Sequence, residues 1–463
     1  MKHFPDPPAR LHFIGLKGVA MTALAQILQG QGYAVSGSDT AEAFITDAVL
    51  KRLAIYCREE FAESNINEHV AAVVYSTAYG PDHIERRAAA ARGILEFSYP
   101  EVIGIIMHLY KHSIAVAGSH GKTTTTALVA RMLEEGGCDP TAIVGSKVVE
   151  WGTNARLGTS DWFVVEADEY QNKFQYYAPR HLVVTNVDYD HPDYFPSSAA
   201  YEQIFLDFAS KLPSDGTLLV LGTEPILERL RKVCRAKIIT YGFAPDDEWR
   251  LDRVIVEESG TSFAVSRSDI FFGSFSTSLL GQHYALDAVA AMAVAAGIGG
   301  VGSDALRRAL KYFRGTARRL EQRGEYNGAL VYDDYAHHPT EIAATLQALR
   351  ARYASKRIWC VFQSHTYTRT AKFIVQFAEA LNLADRAIIV PIYASARESR
   401  GKISHEALAA AVNRGGGSRA EAVSSLAEAT EHLRKEIGVD DVVVTMGAGD
   451  VWRVAEQLVV NRP

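Results

Sequence analysis

Seven consecutive residues have the types and order that binding of nucleotide phosphates needs. Gly-Ser-His-Gly-Lys-Thr-Thr follows an apolar run and precedes a helical pattern. In that setting, a glycine-rich turn points backbone N–H groups and the positive end of a helix at phosphate oxygens. The lysine is placed to reach the terminal phosphates, and the first threonine hydroxyl is placed to bind Mg²⁺. The predicted nucleotide-binding residues are therefore Gly118, Ser119, His120, Gly121, Lys122, Thr123 and Thr124.

This loop departs from the usual phosphate-loop spacing. Two residues separate its glycines, where the common pattern has four, so a generic kinase pattern does not match it. The alternative is a structural turn with an incidental Lys-Thr pair. The strand pattern before the loop and the helix pattern after it both favour phosphate binding.

Acidic and imidazole groups follow two further strand patterns. The apolar run Trp162–Val165 leads into Glu166, and a second run leads through Asn186 to Asp190 and His191. Open α/β sheets bind ligands at the carboxyl ends of their strands. A carboxylate and an imidazole near a phosphate loop suit Mg²⁺, which takes few protein ligands and keeps waters or substrate oxygens. Taken alone, each cluster is more often a solvated loop, but a preceding phosphate loop in the same domain favours the functional interpretation.

A second glycine-containing turn lies near the start of the chain. Gly15, Lys17 and Gly18 occupy a strand-to-helix turn, and Asp39 follows about 20 residues later, as in dinucleotide-binding folds. Lys17 stands where such folds need a second glycine for close approach of a pyrophosphate. This favours another nucleotide diphosphate over NAD(P), with Lys17 helping to neutralise its charge. A plain tight turn remains the alternative.

The C-terminal third of the chain has its own polar clusters. Arg318-Arg319 precede an Asp-Asp-Tyr-Ala-His-His-Pro segment, and Arg369 follows a later apolar strand pattern. Arginines bind carboxylates and phosphates in bidentate geometry. The paired histidines are compatible with a zinc site, but Pro339-Thr340-Glu341 more simply begins a helix.

Apolar strand patterns alternate with amphipathic helical patterns through most of the 463 residues, which predicts an α/β fold with parallel sheets. The pattern restarts near residue 108 and again near Gly315. We therefore predict three domains, at residues 1–107, 108–315 and 316–463, with antiparallel strands within 253–265.

The net charge of −6 argues against a surface built for nucleic acid. Four scattered cysteines and the lack of a long apolar run predict free thiols, no membrane insertion and a cytoplasmic location.

Taken together and in order, these segments resemble those of the Mur ligase family, over nearly the whole chain. The ordered set is far more specific than any one motif. It comprises Phe13–Gly15, Gly37–Asp39, Gly118–Thr126, Glu166–Glu169, Thr185–His191, Gly281–His283, Arg318-Arg319, Asp333–Thr340, Phe362–Thr370 and Gly447–Asp450.

The resemblance implies a Rossmann-like N-terminal domain for a UDP-sugar, a central ATPase-type domain and a Rossmann-like C-terminal domain for an amino acid. It implies ATP- and Mg²⁺-dependent joining of L-alanine to the lactyl carboxylate of UDP-N-acetylmuramate, through an acyl phosphate, in peptidoglycan biosynthesis. The implied catalytic residues are Lys122, Glu166, His191, His337 and Arg369, with Thr123, Glu166 and His191 organising magnesium. His283, Arg319 and Asp334 would bind the nucleotide. Substrates would contact Gly15, Lys17, Gly18, Ser38, Asp39, Asn186, Tyr335, His337 and Arg369.

Five departures from the family pattern bear on the substrates. Tyr284 and Asp287 stand where asparagines are common in the adenine-binding segment, and Thr366 stands where many alanine-adding members have arginine; Lys17 and Ala20 replace glycines. The main alternative is a recycling ligase that adds a murein tripeptide to the same sugar nucleotide. A small-molecule kinase and a non-catalytic UDP-sugar-binding regulator are alternatives from other classes.

Overall fold

The computed structural model describes residues 3–257, 259–394, 398, 401–414 and 419–460. It contains three β-sheets that follow one another along the chain, each flanked by helices. The predicted boundaries at 107/108 and 315/316 fall in the segments between successive sheets.

The first sheet has five parallel strands in the order β3-β2-β1-β4-β5. Crossover helices cover its faces, so the residues of β1 and β4 are mostly buried. The strands are β1 (Arg10–Ile14), β2 (Ala34–Ser38), β3 (Tyr56–Arg58), β4 (Ala72–Tyr75) and β5 (Leu95–Ser98). The helices are α1 (Val19–Gly30), α2 (Asp47–Arg52), α3 (Ile84–Ala91) and α4 (Tyr99–Met107).

The central sheet has ten strands in the order β15-β14-β13-β12-β11-β10-β6-β9-β7-β8. As predicted, the region around 253–265 is antiparallel. The strands are β6 (His112–Ala117), β7 (Thr141–Val148), β8 (Thr153–Arg156), β9 (Trp162–Glu166), β10 (His181–Val184), β11 (Thr217–Leu221), β12 (Lys237–Gly242), β13 (Trp249–Glu257), β14 (Gly260–Arg267) and β15 (Ile270–Thr277). The helices are α5 (Lys122–Glu135), α6 (Ser198–Ser210), α7 (Leu227–Val233), α8 (Gln282–Ala295) and α9 (Ser303–Tyr312).

The third sheet has the order β16-β17-β21-β18-β19-β20, with only β16 antiparallel to its neighbour. The strands are β16 (Glu321–Tyr326), β17 (Ala329–Asp334), β18 (Arg357–Phe362), β19 (Arg386–Ile389), β20 (Arg419–Ala422) and β21 (Asp441–Met446). The helices are α10 (Pro339–Arg352), α11 (Tyr367–Lys372), α12 (Ile374–Leu381), α13 (His405–Arg414), α14 (Leu426–Glu436) and α15 (Trp452–Val460). The predicted helix start at Pro339 is confirmed, and the Glu341 side chain accepts from the backbone N–H of His338 at 3.3 Å.

The sheets are joined by shared apolar packing. One hydrophobic cluster runs from the first sheet into a face of the central sheet, and another joins Leu280 and Tyr284 of the central domain to the third sheet. The α/β fold predicted from the sequence is confirmed. All four cysteines lie in described segments as free thiols. No helix in the described part of the chain has the length and apolarity that a membrane crossing needs.

Candidate active site between the central and third domains

The phosphate loop joins β6 to α5, and its glycines are required by geometry. Gly118 and Gly121 have φ of +136° and +77°, where side chains other than hydrogen are strained. A Cβ on Gly118 would lie 2.0 Å from the Thr185 hydroxyl oxygen. The chain therefore turns tightly against the neighbouring strand before α5 begins at Lys122.

Lys122 is folded back over this loop. Its Nζ donates to the carbonyl oxygens of Gly118 at 2.5 Å and Ser119 at 3.0 Å, and to Glu169 Oε2 at 3.0 Å. Burial alone would lower the pKa of the ammonium, but the carboxylates of Glu169, Asp168 and Glu166 outweigh it and raise that pKa. Lys122 is therefore a fixed positive charge at the mouth of the loop.

Thr123 and Glu166 form the first pair of candidate magnesium ligands. The Thr123 hydroxyl donates to Glu166 Oε1 at 3.1 Å, and the Gly145 N–H donates to Glu166 Oε2 at 2.7 Å. Burial raises the pKa of Glu166 despite the opposing charges of Lys122 and Arg319. A hydroxyl and a carboxylate side by side at a phosphate loop are hard oxygen ligands of the kind Mg²⁺ uses.

His191 lies beside a different carboxylate. Its Nε2 is 3.6 Å from Glu169 Oε1, and its backbone has a φ of +54°. Burial lowers the pKa of this imidazole, but the nearby carboxylates of Glu169 and Asp190 raise it overall. His191, Asp168 and Glu169 form one of two groups of closely spaced potential metal ligands found in the described residues, and Glu166 belongs to neither. The three-residue magnesium set therefore stays a prediction.

A cavity of about 310 Å³ lies between the central domain and the third domain, next to the phosphate loop. Its wall includes six of the residues predicted to bind the nucleotide: His120, Gly121, Thr124, His283, Arg319 and Asp334. Burial lowers the pKa of His283 to about 4, so this ring is neutral near pH 7. The structure thus brings residues more than 200 positions apart in sequence to one pocket beside the loop.

The two positions that depart from the family's adenine segment also line this cavity. Tyr284 packs its ring 4.3 Å from that of His283. Asp287 Oδ1 accepts a hydrogen bond from the Thr125 hydroxyl at 3.2 Å. Burial raises the pKa of Asp287 to about 8, so the side chain is a neutral carboxyl near pH 7. Like an amide, a neutral carboxyl offers one acceptor and one donor side.

The neighbouring residues Arg318 and Arg319 make different contacts. Arg319 reaches the central domain, with Nη2 3.4 Å from the Thr123 hydroxyl. Arg318 instead points into its own domain, where Nε donates to Asp333 at 2.9 Å and Nη2 donates to the Gly447 carbonyl at 2.7 Å. Of the pair, only Arg319 therefore belongs to the site.

The first loop is built on Asp39. Its carboxylate accepts from the backbone N–H of Lys17 at 2.7 Å and of Thr40 at 2.8 Å. Gly15 has a φ of +83°, and a Cβ there would lie 2.5 Å from the Tyr79 ring. Gly18 is the residue before α1. This turn leaves backbone groups at a helix start, a suitable setting for a diphosphate.

Two residues predicted to contact substrate here have other partners. The Ser38 side chain is buried and donates to Glu85 at 2.5 Å, and its carbonyl oxygen accepts from the N–H groups of Gly15 and Leu16. Lys17 is 3% exposed, and its Nζ lies 3.0 Å from Glu59 and 3.7 Å from Asp47. In this structure, its charge is neutralised by carboxylates of the protein, in place of the predicted diphosphate.

Asn186 supports the phosphate loop. Its side-chain oxygen accepts from the His120 N–H at 2.9 Å, and its amide donates to the His120 carbonyl at 3.0 Å. The oxygen and the nitrogen of the side-chain amide thus bracket the backbone of one loop residue, His120. These contacts support a positioning role for Asn186, and its predicted substrate contact stays a prediction.

Tyr335 and His337 lie on the segment between β17 and α10. His337 Nδ1 is 3.0 Å from the Tyr335 carbonyl oxygen, which makes Nδ1 the protonated nitrogen and leaves the lone pair on Nε2. Burial lowers the pKa of His337 to about 3, so the ring is neutral. A neutral imidazole of this kind is an acceptor for an amine N–H.

Arg369 was predicted to bind the amino acid's carboxylate, but the structure gives it a protein partner. Its Nε and Nη2 donate to Asp190 Oδ1 at 2.9 and 2.7 Å, and its Nη1 is 3.2 Å from His365 Nδ1. Both side chains of the ion pair are buried. The Arg369 charge helps to hold the pKa of Asp190 well below its usual range, although burial alone would raise it.

The interface around His120 includes three polar residues that were not among the predicted site residues: Asp188, Thr340 and Glu341. His120 Nε2 is 3.0 Å from Asp188 Oδ2, and its Nδ1 is 3.2 Å from Glu341 Oε1 in the third domain. The Thr340 hydroxyl donates to the same Asp188 oxygen at 2.7 Å. Burial opposes protonation of His120, but these two carboxylates raise its pKa to about 9. The available sequence signal was that Asp188 lies within the motif Thr185–His191 and that Thr340 and Glu341 end or follow the motif Asp333–Thr340.

Comparison with known proteins agrees with this arrangement. Three family models match in order: "Mur ligase family, catalytic domain" over residues 10–111, "Mur ligase middle domain" over 116–295 and "Mur ligase, glutamate ligase domain" over 318–449. The chain belongs to the Mur ligase family.

The similar proteins indicate a narrower group. The UDP-N-acetylmuramate–L-alanine ligase of Desulfitobacterium hafniense is 38% identical over 98% of this chain and 100% of its own. That of an Anaeromyxobacter species is 38% identical over 99% of each chain. Among solved structures, the alanine ligase of Thermotoga maritima superposes with a TM-score of 0.82 at 24% identity, covering 97% of this chain and 98% of its own. A murein peptide ligase of Psychrobacter arcticus has a TM-score of 0.72 at 24% identity with the same coverage.

Proposed function

We propose that the chain is a UDP-N-acetylmuramate–L-alanine ligase, which uses ATP to join L-alanine to the lactyl carboxylate. The observation that carries this proposal is that Arg319 of the third domain reaches the Thr123 hydroxyl beside Lys122. A site completed by two domains suits a reaction that must hold two substrates and exclude water from an acyl phosphate. Full-length relatives with this activity in their names support the choice of substrates. Use of ATP and a nucleotide-linked sugar supports the cytoplasm as its compartment.

The first chemical step would transfer a phosphoryl group. A lactyl carboxylate oxygen attacks the γ-phosphorus, the bond to the β,γ-bridging oxygen breaks, and ADP leaves. Lys122 and Arg319 provide the positive charges that this transfer needs on the phosphate oxygens. Glu169 and the loop carbonyls hold the Lys122 ammonium, so its position is set before ATP arrives.

Thr123 and Glu166 are the residues that best fit a magnesium ion, because their oxygens already meet beside the loop. Bound Mg²⁺ would offset the negative charge of the phosphates. The buried Asp168, Glu169 and His191 group is a second candidate for the same role.

The second step would form the amide bond. The alanine nitrogen attacks the carbonyl carbon of the acyl phosphate, the C–O bond to phosphate breaks, and inorganic phosphate leaves. The attacking nitrogen loses a proton, which the departing phosphate can accept. The neutral Nε2 of His337 can accept a hydrogen bond from the nitrogen, and Tyr335 fixes the orientation of that ring. The UDP part of the other substrate would lie on the turn formed by Gly15, Gly18 and Asp39.

Phosphate release with one component omitted at a time tests the reaction class. A ligase releases phosphate only when ATP, Mg²⁺, UDP-N-acetylmuramate and an amine are all present. Consumption of ATP with the sugar nucleotide alone, yielding a stable phosphorylated product, would indicate a kinase. Binding without any turnover would indicate a regulator. A recycling ligase would behave as a ligase but require a tripeptide amine.

A further inference from the structure

The loop between β10 and α6 is held by the third domain through two carboxylates. Asp188 accepts from the Thr340 hydroxyl at 2.7 Å, and Asp190 accepts from Arg369 at 2.7 and 2.9 Å. The second contact is the more buried, since the side chains of Arg369 and Asp190 are 3% and 6% exposed. A buried charge without a partner is strongly disfavoured, so this pair links the two domains energetically as well as geometrically.

The same Asp190 oxygen also controls the next residue. Oδ1 accepts from the backbone N–H of His191 at 2.6 Å, where the chain has a φ of +54°. Left-handed backbone at a residue other than glycine is held in place by surrounding contacts. Asp190 Oδ1 therefore contacts both Arg369 of the third domain and the backbone N–H of His191, whose conformation sets the orientation of the His191 ring.

That ring faces the phosphate loop. His191 Nε2 is 3.6 Å from Glu169 Oε1, and Glu169 Oε2 accepts from Lys122 at 3.0 Å. A continuous path of contacts thus runs from Arg369 through Asp190, His191 and Glu169 to Lys122. The arginine lies at the end of the path that belongs to the third domain.

We propose that Arg369 and Asp190 form an interdomain latch, which positions His191 for phosphoryl transfer only when the third domain is closed. Both are positioning residues, and Arg369 does not bind the carboxylate of the amino acid. This inference rests on the proposed ligase function for its kinetic consequences, but its structural consequence is independent of that function.

A double-mutant cycle tests the latch with Asp190→Asn, Arg369→Gln and the two together. Asp190→Asn keeps the shape of the side chain and an acceptor for the His191 N–H, but it leaves the buried Arg369 charge without its partner, so circular dichroism and thermal melts check that each variant is folded. Removing a charge-assisted hydrogen bond costs about ten- to a hundredfold, and we expect this loss in kcat. The KM for L-alanine should change by less than about threefold, and the double variant should be no worse than either single one, as coupled residues require.

A surface ion pair of the same domain provides the control. Arg350 donates to Asp385, and their side chains are 36% and 43% exposed. Arg350→Gln and Asp385→Asn should leave kcat and KM unchanged. A rise in the KM for L-alanine in Arg369→Gln, without a matching change in Asp190→Asn, would overturn the latch and return Arg369 to substrate binding.

Small-angle X-ray scattering provides a readout other than activity. With ADP, Mg²⁺ and UDP-N-acetylmuramate, and also without ligands, both latch variants should have a larger radius of gyration than the parent and the control variants. Unchanged radii in both conditions would contradict the latch. If the parent couples no L-alanine while the latch variants still expand, the proposed function fails and the latch stands.

Discussion

The Asp287 carboxyl packs directly against the phosphate loop at Gly121. A Cβ added to Gly121 would lie 2.4 Å from Asp287 Oδ1, so any larger residue in the loop would collide with it. Burial raises the pKa of this carboxyl from 3.8 to about 8. Near pH 7, the loop therefore faces a neutral acid, and a negative charge appears there only at higher pH.

Ionisation of Asp287 should weaken ATP binding. Above pH 8, we expect the parent's KM for ATP to rise several-fold per pH unit, because ionised Asp287 repels the phosphates. Asp287→Asn keeps a neutral side chain at every pH and should remove that rise. Initial rates at varied ATP concentration between pH 6.5 and 9.5 check this. Identical profiles for the parent and the variant would show that Asp287 is not titrating near the nucleotide.

The free energy of unfolding should also depend on the ionisation of Asp287. Because the pKa of the folded state exceeds that of the unfolded state, the folded protein holds more protons between pH 3.8 and about 8. The free energy of unfolding contributed by Asp287 is then fully present below pH 3.8 and is lost as pH rises towards 8. Relative to the parent, Asp287→Asn should become more stable as pH rises through this range, as measured by thermal melts at pH 5 and pH 8.5.

Lys122 should be essential for turnover without being essential for folding. Lys122→Ala removes a fixed charge opposite the transferred phosphoryl group, which typically costs about 10²–10³ in rate. Lys237→Ala is a matched control on the same domain, with a side chain that is 63% exposed. Steady-state kinetics with circular dichroism as the folding check measure the effect. Near-normal turnover in folded Lys122→Ala would remove the phosphate loop from the mechanism.

Magnesium dependence should distinguish the two candidate ligand groups. Glu166→Gln weakens a carboxylate that meets the Thr123 hydroxyl, and His191→Ala removes the ring beside Glu169. Each variant should need more Mg²⁺ for half-maximal turnover or lose activity. Glu228→Gln, at a position that is 79% exposed, should behave like the parent. If only one of the two site variants shifts the magnesium titration, the ion is held by that residue's group alone.

Alanine substitutions of Arg318 and Arg319 should have different effects, one on stability and the other on turnover. Arg319→Ala should lower kcat about a hundredfold with little change in stability, because it reaches the phosphate loop. Arg318→Ala leaves Asp333 buried without its ion pair and should destabilise the protein by about 3 kcal/mol. Parallel denaturant unfolding and kinetics separate the two. Equal loss of stability in both variants would mean that Arg319 is also structural.

The sequence predicted the elements whose residues face a core on both sides. The strands around Val116, Val164 and Val183 were predicted because buried parallel strands are continuous apolar runs. Strand β16 was missed because it lies at a sheet edge, where Glu321–Tyr326 carries polar and charged residues. The short edge strand β20 was missed for the same reason.

In the site, the sequence predicted which residues carry chemistry better than it predicted their partners. Three phosphate-loop residues (His120, Gly121 and Thr124) do converge with His283, Arg319 and Asp334 on one cavity. The pairing of Arg369 with Asp190 joins positions 179 residues apart, and no local pattern contains that information. Likewise, adjacency could not reveal that Arg318 points into its domain while Arg319 points out of it.

The identity of the acceptor amine tests the central claim most directly. Mass spectrometry of reactions with ATP, Mg²⁺, UDP-N-acetylmuramate and either L-alanine, glycine, L-serine or murein tripeptide would compare the products. We expect L-alanine to give the fastest coupling, slower coupling of glycine and L-serine, and stoichiometric ADP and phosphate. Efficient coupling of the tripeptide with no detectable coupling of L-alanine would contradict the proposal and assign the chain to the recycling ligases.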